Sequence, residues 1–388
     1  MTDHTQYLSD AVTRIRPSGI RKFFDLASSM DNIISLGVGE PDYTTPWNIR
    51  EASISSLERG FTSYTANAGL PELREEIARY LTEQFQTSYS PEDEVIVTSG
   101  ASEAIDLAMR ATVNPGDEVL VVEPSFVSYA PLVSLIGGVP VPVPTSIENG
   151  FKVTPEAIQD RISDRTKAIL LCFPNNPTGT VMTSDELESV AAIVKQHDLL
   201  VFSDEIYAEM TYDAPHVSVP ALQGMRDRTV LISGFSKAFA MTGWRLGYVA
   251  APEPLASGML KIHQYAMMCA STMAQYGAIE ALQNGREEML EMVESYRQRR
   301  NFFVGALKDI GLDCHTPGGA FYAFPSIRST GLTSEQFAEK LLFAQRVAVV
   351  PGNVFGEGGE GHVRCSYAAS LSQLEQAVDR MDRFIRSL

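Results

Sequence analysis

The feature that most limits what this chain can become is a set of five short apolar runs. They are Glu94–Thr98 (EVIVT), Glu118–Val122 (EVLVV), Ala168–Cys172 (AILLC), Leu199–Phe202 (LLVF) and Thr229–Ile232 (TVLI). None alternates polar with apolar residues, so a strand built from any of them is buried on both faces. Amphipathic stretches lie between them. Ser184–His197 (SDELESVAAIVKQH) opens on Ser and an acidic first turn, the pattern of a helix start. Doubly buried strands separated by helices predict an α/β fold, with a mostly parallel sheet sandwiched by helices. From about Pro252 the pattern changes to a long Glu- and Arg-rich helical region, then GGAFYAFP, VAVVPG and a closing amphipathic helix. That part reads as a smaller α+β domain. The expected division is residues 46–284 as the large domain, 285–388 as the small one, and 1–45 as an N-terminal segment joining the small domain.

The segments just past the strands say where function sits. The runs end in Ser99-Gly100-Ala101-Ser102, Glu123-Pro124-Ser125-Phe126, Pro174-Asn175-Asn176-Pro177-Thr178-Gly179, Ser203-Asp204-Glu205 and Ser233-Gly234-Phe235-Ser236-Lys237. In open α/β sheets ligands bind in the crevice beyond the carboxyl ends of the strands. Five polar segments on one edge therefore predict a single site assembled from distant parts of the chain.

Composition narrows the chemistry. Lys and Arg total 31 against 48 Asp and Glu, a formal charge of −17. With no basic patch to release counterions, sequence-independent binding to nucleic acid or anionic membranes is disfavoured. The four cysteines form no CxxC pair and the six histidines show no ligand spacing, so no metal site is expected. Buried reduced thiols, the absence of a charged-then-apolar leader pattern and of any apolar stretch of ~20 residues make a cytoplasmic location the expectation. Gly356–Gly361 reads as a loop, because no phosphate-binding lysine or helix pattern comes after it.

The most specific segment is Gly234-Phe235-Ser236-Lys237-Ala238-Phe239-Ala240-Met241-Thr242-Gly243-Trp244-Arg245-Leu246-Gly247. Lysine forms Schiff bases with carbonyls and works best when its site lowers its pKa. A neighbouring hydroxyl and arginine can hold a phosphate dianion. This segment resembles the pyridoxal-phosphate attachment signature of class I aminotransferases, and the resemblance extends from Gly39-Glu40-Pro41-Asp42 to Val363-Arg364-Cys365-Ser366-Tyr367-Ala368. It is nearest to the prokaryotic branch of aspartate, aromatic and broad-specificity enzymes. It implies the fold type I architecture, pyridoxal 5'-phosphate as cofactor, and exchange of an amino group between an amino acid and a 2-oxo acid in two half-reactions.

The resemblance also implies roles, residue by residue. Lys237 would hold the cofactor covalently and move the substrate proton. Asp204 would face the pyridine nitrogen, although a Ser-Asp pair after a strand is equally a helix N-cap. Tyr207 and Asn176 would hydrogen-bond the phenolic oxygen, while Asn-Asn-Pro-Thr-Gly by itself is simply a turn. Gly100, Ala101 and Ser102 open a helix whose free N–H groups suit phosphate, with Ser236 and Arg245 completing the cup. Phe126 corresponds to the residue stacked on the cofactor ring, or else is a core aromatic. Tyr64 matches the tyrosine that family members extend to the neighbouring subunit's phosphate, which implies a homodimer with shared sites. Arg364 would grip the substrate α-carboxylate, rather than being a solvated arginine at a strand end, with Gly39 and Asn176 beside it.

Substrate preference rests on what is missing. Relatives specialised for aspartate place a lysine where this chain has Ser102, or an arginine in the segment matching Ala266–Thr272 (AMMCAST), which holds no basic residue. Aromatic or broad neutral amino acids with 2-oxoglutarate are the expectation. Aspartate, alanine and N-acetyl-diaminopimelate aminotransferases, and carbon–sulfur lyases on the same site plan, stay open.

Overall fold

The computed structural model describes residues 4–15, 17, 19 and 30–388. In chain order its strands are β1 (Ile34–Ser35), β2 (Val95–Thr98), β3 (Glu118–Glu123), β4 (Val139–Pro144), β5 (Thr166–Cys172), β6 (Leu200–Asp204), β7 (Thr229–Gly234) and β8 (Gly247–Ala250). After them come β9 (Tyr322–Ala323), β10 (Val347–Ala348), β11 (Val350–Pro351) and β12 (Val363–Ser366). Seven strands form one sheet in the order β2-β8-β7-β6-β5-β3-β4. β8 runs antiparallel to both its neighbours. The other adjacent pairs are parallel, so β2, β3, β5, β6 and β7 all present their carboxyl ends to the same side. One face of the sheet packs under helices Gly100–Thr112 and Glu253–Ala266, the other under Ser184–Gln196.

All five expected strands form, and two more appear. β4 reads VPVPVP, a pattern that argues against a strand in the middle of a sheet. It lies at the edge, where only Val139, Val141 and Val143 turn toward β3, and the imide nitrogens of Pro140, Pro142 and Pro144 fall on the unpaired side. β8 is four residues long and hidden in sequence at the end of the lysine segment. A further correction concerns Asp204. The apolar run ends at Phe202, but pairing continues until Asp204 lies opposite Cys172 and Ile232. Asp204 is thus the last residue of a central strand and not part of a following loop.

The chain after the sheet forms a second cluster, with helix Arg286–Asp309 packed beside the three-stranded antiparallel sheet β11-β12-β9. β1 pairs in parallel with β10, and Leu36 is buried with Phe303, Phe321, Phe337 and Met381. Tyr207 and Met210, just past β6, enter this same cluster. Of the expected N-terminal segment, residues 1–3, 16, 18 and 20–29 lie outside the described residues. Among those described, all four cysteines are free, no group of side chains suits a metal ion, and no helix is long and apolar enough to cross a membrane.

Candidate active site

Beyond the carboxyl ends of the parallel strands lies a cavity of ≈ 330 Å³. It is lined by Gly39, Ala101, Ser102, Phe126, Asn176, Asp204, Tyr207, Ser236, Lys237, Arg245 and Arg364. Gly100 sits directly behind it at the helix start. Tyr64 does not line it and is 80 % exposed. Nor does the Ala266–Thr272 stretch, whose Met267 and Met268 are exposed. The segment whose lack of a basic residue underlay the substrate expectation therefore takes no part in the cavity of its own chain.

One end of the cavity gathers backbone donors and a guanidinium. Helix Gly100–Thr112 begins there, and the first N–H groups of a helix have no partner within it. Gly100 has φ +77, and a Cβ at that position would stand 2.8 Å from Arg245 Nη2. Glycine thus serves twice, by adopting the left-handed backbone and by admitting the guanidinium. Arg245 also carries positive φ, at 51, and donates from Nη1 to the Thr242 carbonyl at 3.1 Å. Among the described residues no carboxylate pairs with it.

Lys237 lies at the centre. Its Nζ donates to the Gly39 carbonyl at 2.6 Å. Burial first, and then the cations Arg364 and Arg245, pull its pKa down from 10.5 to about 8, with Glu40 opposing them. Asp204 is buried and its Oδ2 accepts from the Tyr129 hydroxyl at 2.6 Å, while Oδ1 accepts from Ile206 N–H at 3.2 Å. Burial outweighs these hydrogen bonds and lifts the carboxyl to about 6. A cationic N–H group entering the cavity would restore the carboxylate. Tyr129 was not expected here. It lies three residues beyond Phe126, whose ring meets its edge at 5.6 Å, and nothing in the local pattern links it to Asp204.

At the far end Arg364 is only 3 % exposed. It donates from Nη1 to Asn176 Oδ1 at 2.9 Å and from Nη2 to the Gly37 carbonyl at 2.6 Å. Its Nε has no partner, and among the described residues no carboxylate faces it. A buried guanidinium with an unused donor and no counterion is costly unless an anion is to be bound. Its burial excludes the solvated strand-end alternative. Tyr322, also unforeseen, fills the space between Arg364 and Tyr207, with its hydroxyl 2.8 Å from that of Tyr207. Its place in GGAFYAFP carries no signal of a site, because alternating residues of any short strand look alike.

Comparison with known proteins bears on the whole chain. Residues 31–381 match the family model for aminotransferase class I and II. The YugH protein of Bacillus subtilis (strain 168) is 62 % identical over 381 residues, covering 98 % of this chain and 99 % of its own. The aspartate aminotransferase of Pyrococcus abyssi is 45 % identical and covers 98 % of each chain. The crystal structure of an aromatic aminotransferase from Pyrococcus horikoshii OT3 matches with a TM-score of 0.90 at 44 % identity, over 95 % of this chain and 99 % of that one.

Proposed function

This chain belongs to the aminotransferase class I and II family, and on that premise we propose how its cavity is used and on which substrates. Members use pyridoxal 5'-phosphate to move amino groups between amino acids and 2-oxo acids, and this chain is such an enzyme. The cofactor, when bound, supplies an electron sink for the carbanion left at the substrate Cα.

The donors present suit that group. Ser236, Arg245 and the N–H groups at Gly100, Ala101 and Ser102 would hold its phosphate. Asp204, kept in place by Tyr129, would take the proton-bearing ring nitrogen, and Phe126 would offer an aromatic face to the ring. Tyr207 and Asn176 would serve its phenolic oxygen. The single observation that carries this assignment is Lys237. It is a half-buried amine in a site that also holds two guanidiniums, and its pKa of about 8 leaves far more neutral nucleophile at physiological pH than a free lysine has. Lys237 Nζ would take the proton from the substrate Cα. Arg364 binds the α-carboxylate, with the small Gly39 leaving room for it. Tyr64 completes the phosphate site of a second copy in a homodimer. In support, Tyr64, Tyr265, Met267 and Met268 are all exposed, and their two segments are tied together by Asn67 Nδ2 to the Met268 carbonyl at 2.7 Å and Thr272 Oγ1 to the Ser63 carbonyl at 2.9 Å. Exposed apolar groups on a fixed platform suit a protein interface.

For substrates, the cations lining the cavity among the described residues are Lys237, Arg245 and Arg364, and each already has a task. Ile105, Phe126 and Ile206 supply apolar wall. This favours aromatic or other neutral amino acids as donors; 2-oxoglutarate as acceptor is carried over from the family resemblance and does not follow from the cavity's charges. A panel of donors at equal concentration tests this, and phenylalanine or tyrosine should outrun aspartate. A preference for aspartate would mean that a cation from elsewhere reaches the pocket. Release of 2-oxo acid without an acceptor would point instead to a lyase.

A further inference from the structure

One side chain touches both Arg364 and Tyr207. Tyr322 of β9 pairs with Ser366 of β12, two residues beyond Arg364 on that neighbouring strand. Its ring lies 4.5 Å from the Arg364 guanidinium carbon, and its hydroxyl is 2.8 Å from the Tyr207 hydroxyl. It lines the cavity while remaining buried. A Cβ on Gly39 would come within 2.8 Å of its oxygen, so the segment crossing above it presses close.

Resting on the roles assigned above to Arg364 and Tyr207, we propose that Tyr322 is a positioning residue with two separable tasks. Its ring holds the carboxylate-binding guanidinium flat, and its hydroxyl strengthens the hydrogen bond that Tyr207 gives to the cofactor. A phenol hydroxyl both donates and accepts. When the Tyr207 proton is committed to the cofactor's phenolic oxygen, the Tyr207 oxygen is free to accept from Tyr322. Two hydroxyls in series donate more strongly than one, because each polarises the next. Stronger donation favours the ionised oxygen, which holds down the pH at which the bound chromophore titrates. The ring acts independently. Arg364 has Asn176 and Gly37 for its two terminal nitrogens, and the faces of Tyr322 and Phe355, at 4.5 and 5.1 Å, fix the plane in which its fork lies.

If Tyr322 were only a core aromatic, its hydroxyl would be idle. The experiment compares the holoenzyme with Tyr322→Phe and Tyr322→Leu by pH titration of the visible absorbance band. It also measures binding of 3-phenylpropionate, a carboxylate without an amino group, from its perturbation of the same band. Tyr322→Phe should raise the titration midpoint by about 0.5–1 pH unit, the worth of one hydrogen bond, and leave carboxylate affinity within about twofold. Tyr322→Leu should shift the midpoint likewise and weaken the carboxylate on the order of tenfold. If the Leu variant does not fold, the Phe variant decides alone. A normal wild-type titration with an unmoved Tyr322→Phe midpoint would overturn this inference and leave the assigned roles standing. A wild-type band that fails to form, or a borohydride-fixed cofactor on a lysine other than Lys237, would overturn both.

Discussion

Replacing Lys237 by Met in the cofactor-free protein removes a half-buried, desolvated cation while keeping an unbranched chain of similar length. The fold lowers the pKa of that lysine from 10.5 to about 8. At about 1.36 kcal/mol per unit, holding the charged form costs the folded state on the order of 3 kcal/mol. Met forfeits the hydrogen bond from Nζ to the Gly39 carbonyl, which offsets about 1 kcal/mol. The variant should therefore be more stable by about 2 kcal/mol at pH 7. Its advantage has a definite pH dependence. Below pH 8 the lysine is charged in both folded and unfolded chains and the full cost is present. Between 8 and 10.5 the folded protein sheds the proton first, so the cost shrinks, and above 10.5 it is gone. Urea unfolding at constant protein concentration and several pH values measures this directly. No gain at pH 7, or a gain that does not shrink between pH 8 and 10, would refute the assignment of a depressed lysine. The same shift makes the neutral amine about 300 times more abundant at pH 7 than in a free side chain, which ties instability at this position to its reactivity.

Three further outcomes are expected. Asp204→Asn should retain bound cofactor, seen by its absorbance, yet slow transamination by several orders of magnitude, because an amide cannot hold the ring proton; a rate within tenfold of wild type would remove Asp204 from that role. Arg364→Lys should raise KM for all donors and acceptors together, at a binding cost on the order of 2–5 kcal/mol, and steady-state kinetics on several substrates would expose any selective effect that contradicts a common carboxylate site. Mixing Tyr64→Ala with Lys237→Ala, each inactive alone, should regain activity in hybrid dimers, where one of the two sites carries neither change; exchange of subunits without recovered activity would rule out Tyr64 acting across the interface.

The parts of this protein that were legible without coordinates are those written in contiguous residues. Five apolar runs without alternation could only be doubly buried strands, and the lysine segment carries its hydroxyl and arginine within a dozen residues. The edge strand β4 was hidden because its prolines contradict average strand composition. They are tolerated where the missing donors face no partner. Asp204 was recognised but misplaced by two residues, since pairing in the sheet carries a strand past the end of its apolar run.

Contacts between distant residues were decided elsewhere. Tyr129 meets Asp204 across 75 positions, Arg364 meets Asn176 across 188, and Lys237 meets Gly39 across 198. No local pattern encodes such meetings, which depend on strand order and on how β9 and β12 are set against the end of β6. Ionisation obeys the same division. The residue types that can titrate are fixed by the sequence alone. Whether Lys237 is depressed, Asp204 raised or Arg364 left without a counterion depends on burial and on neighbours that arrive only when the chain is folded. Desolvation acts on three-dimensional surroundings, and those surroundings are what the tertiary structure supplies.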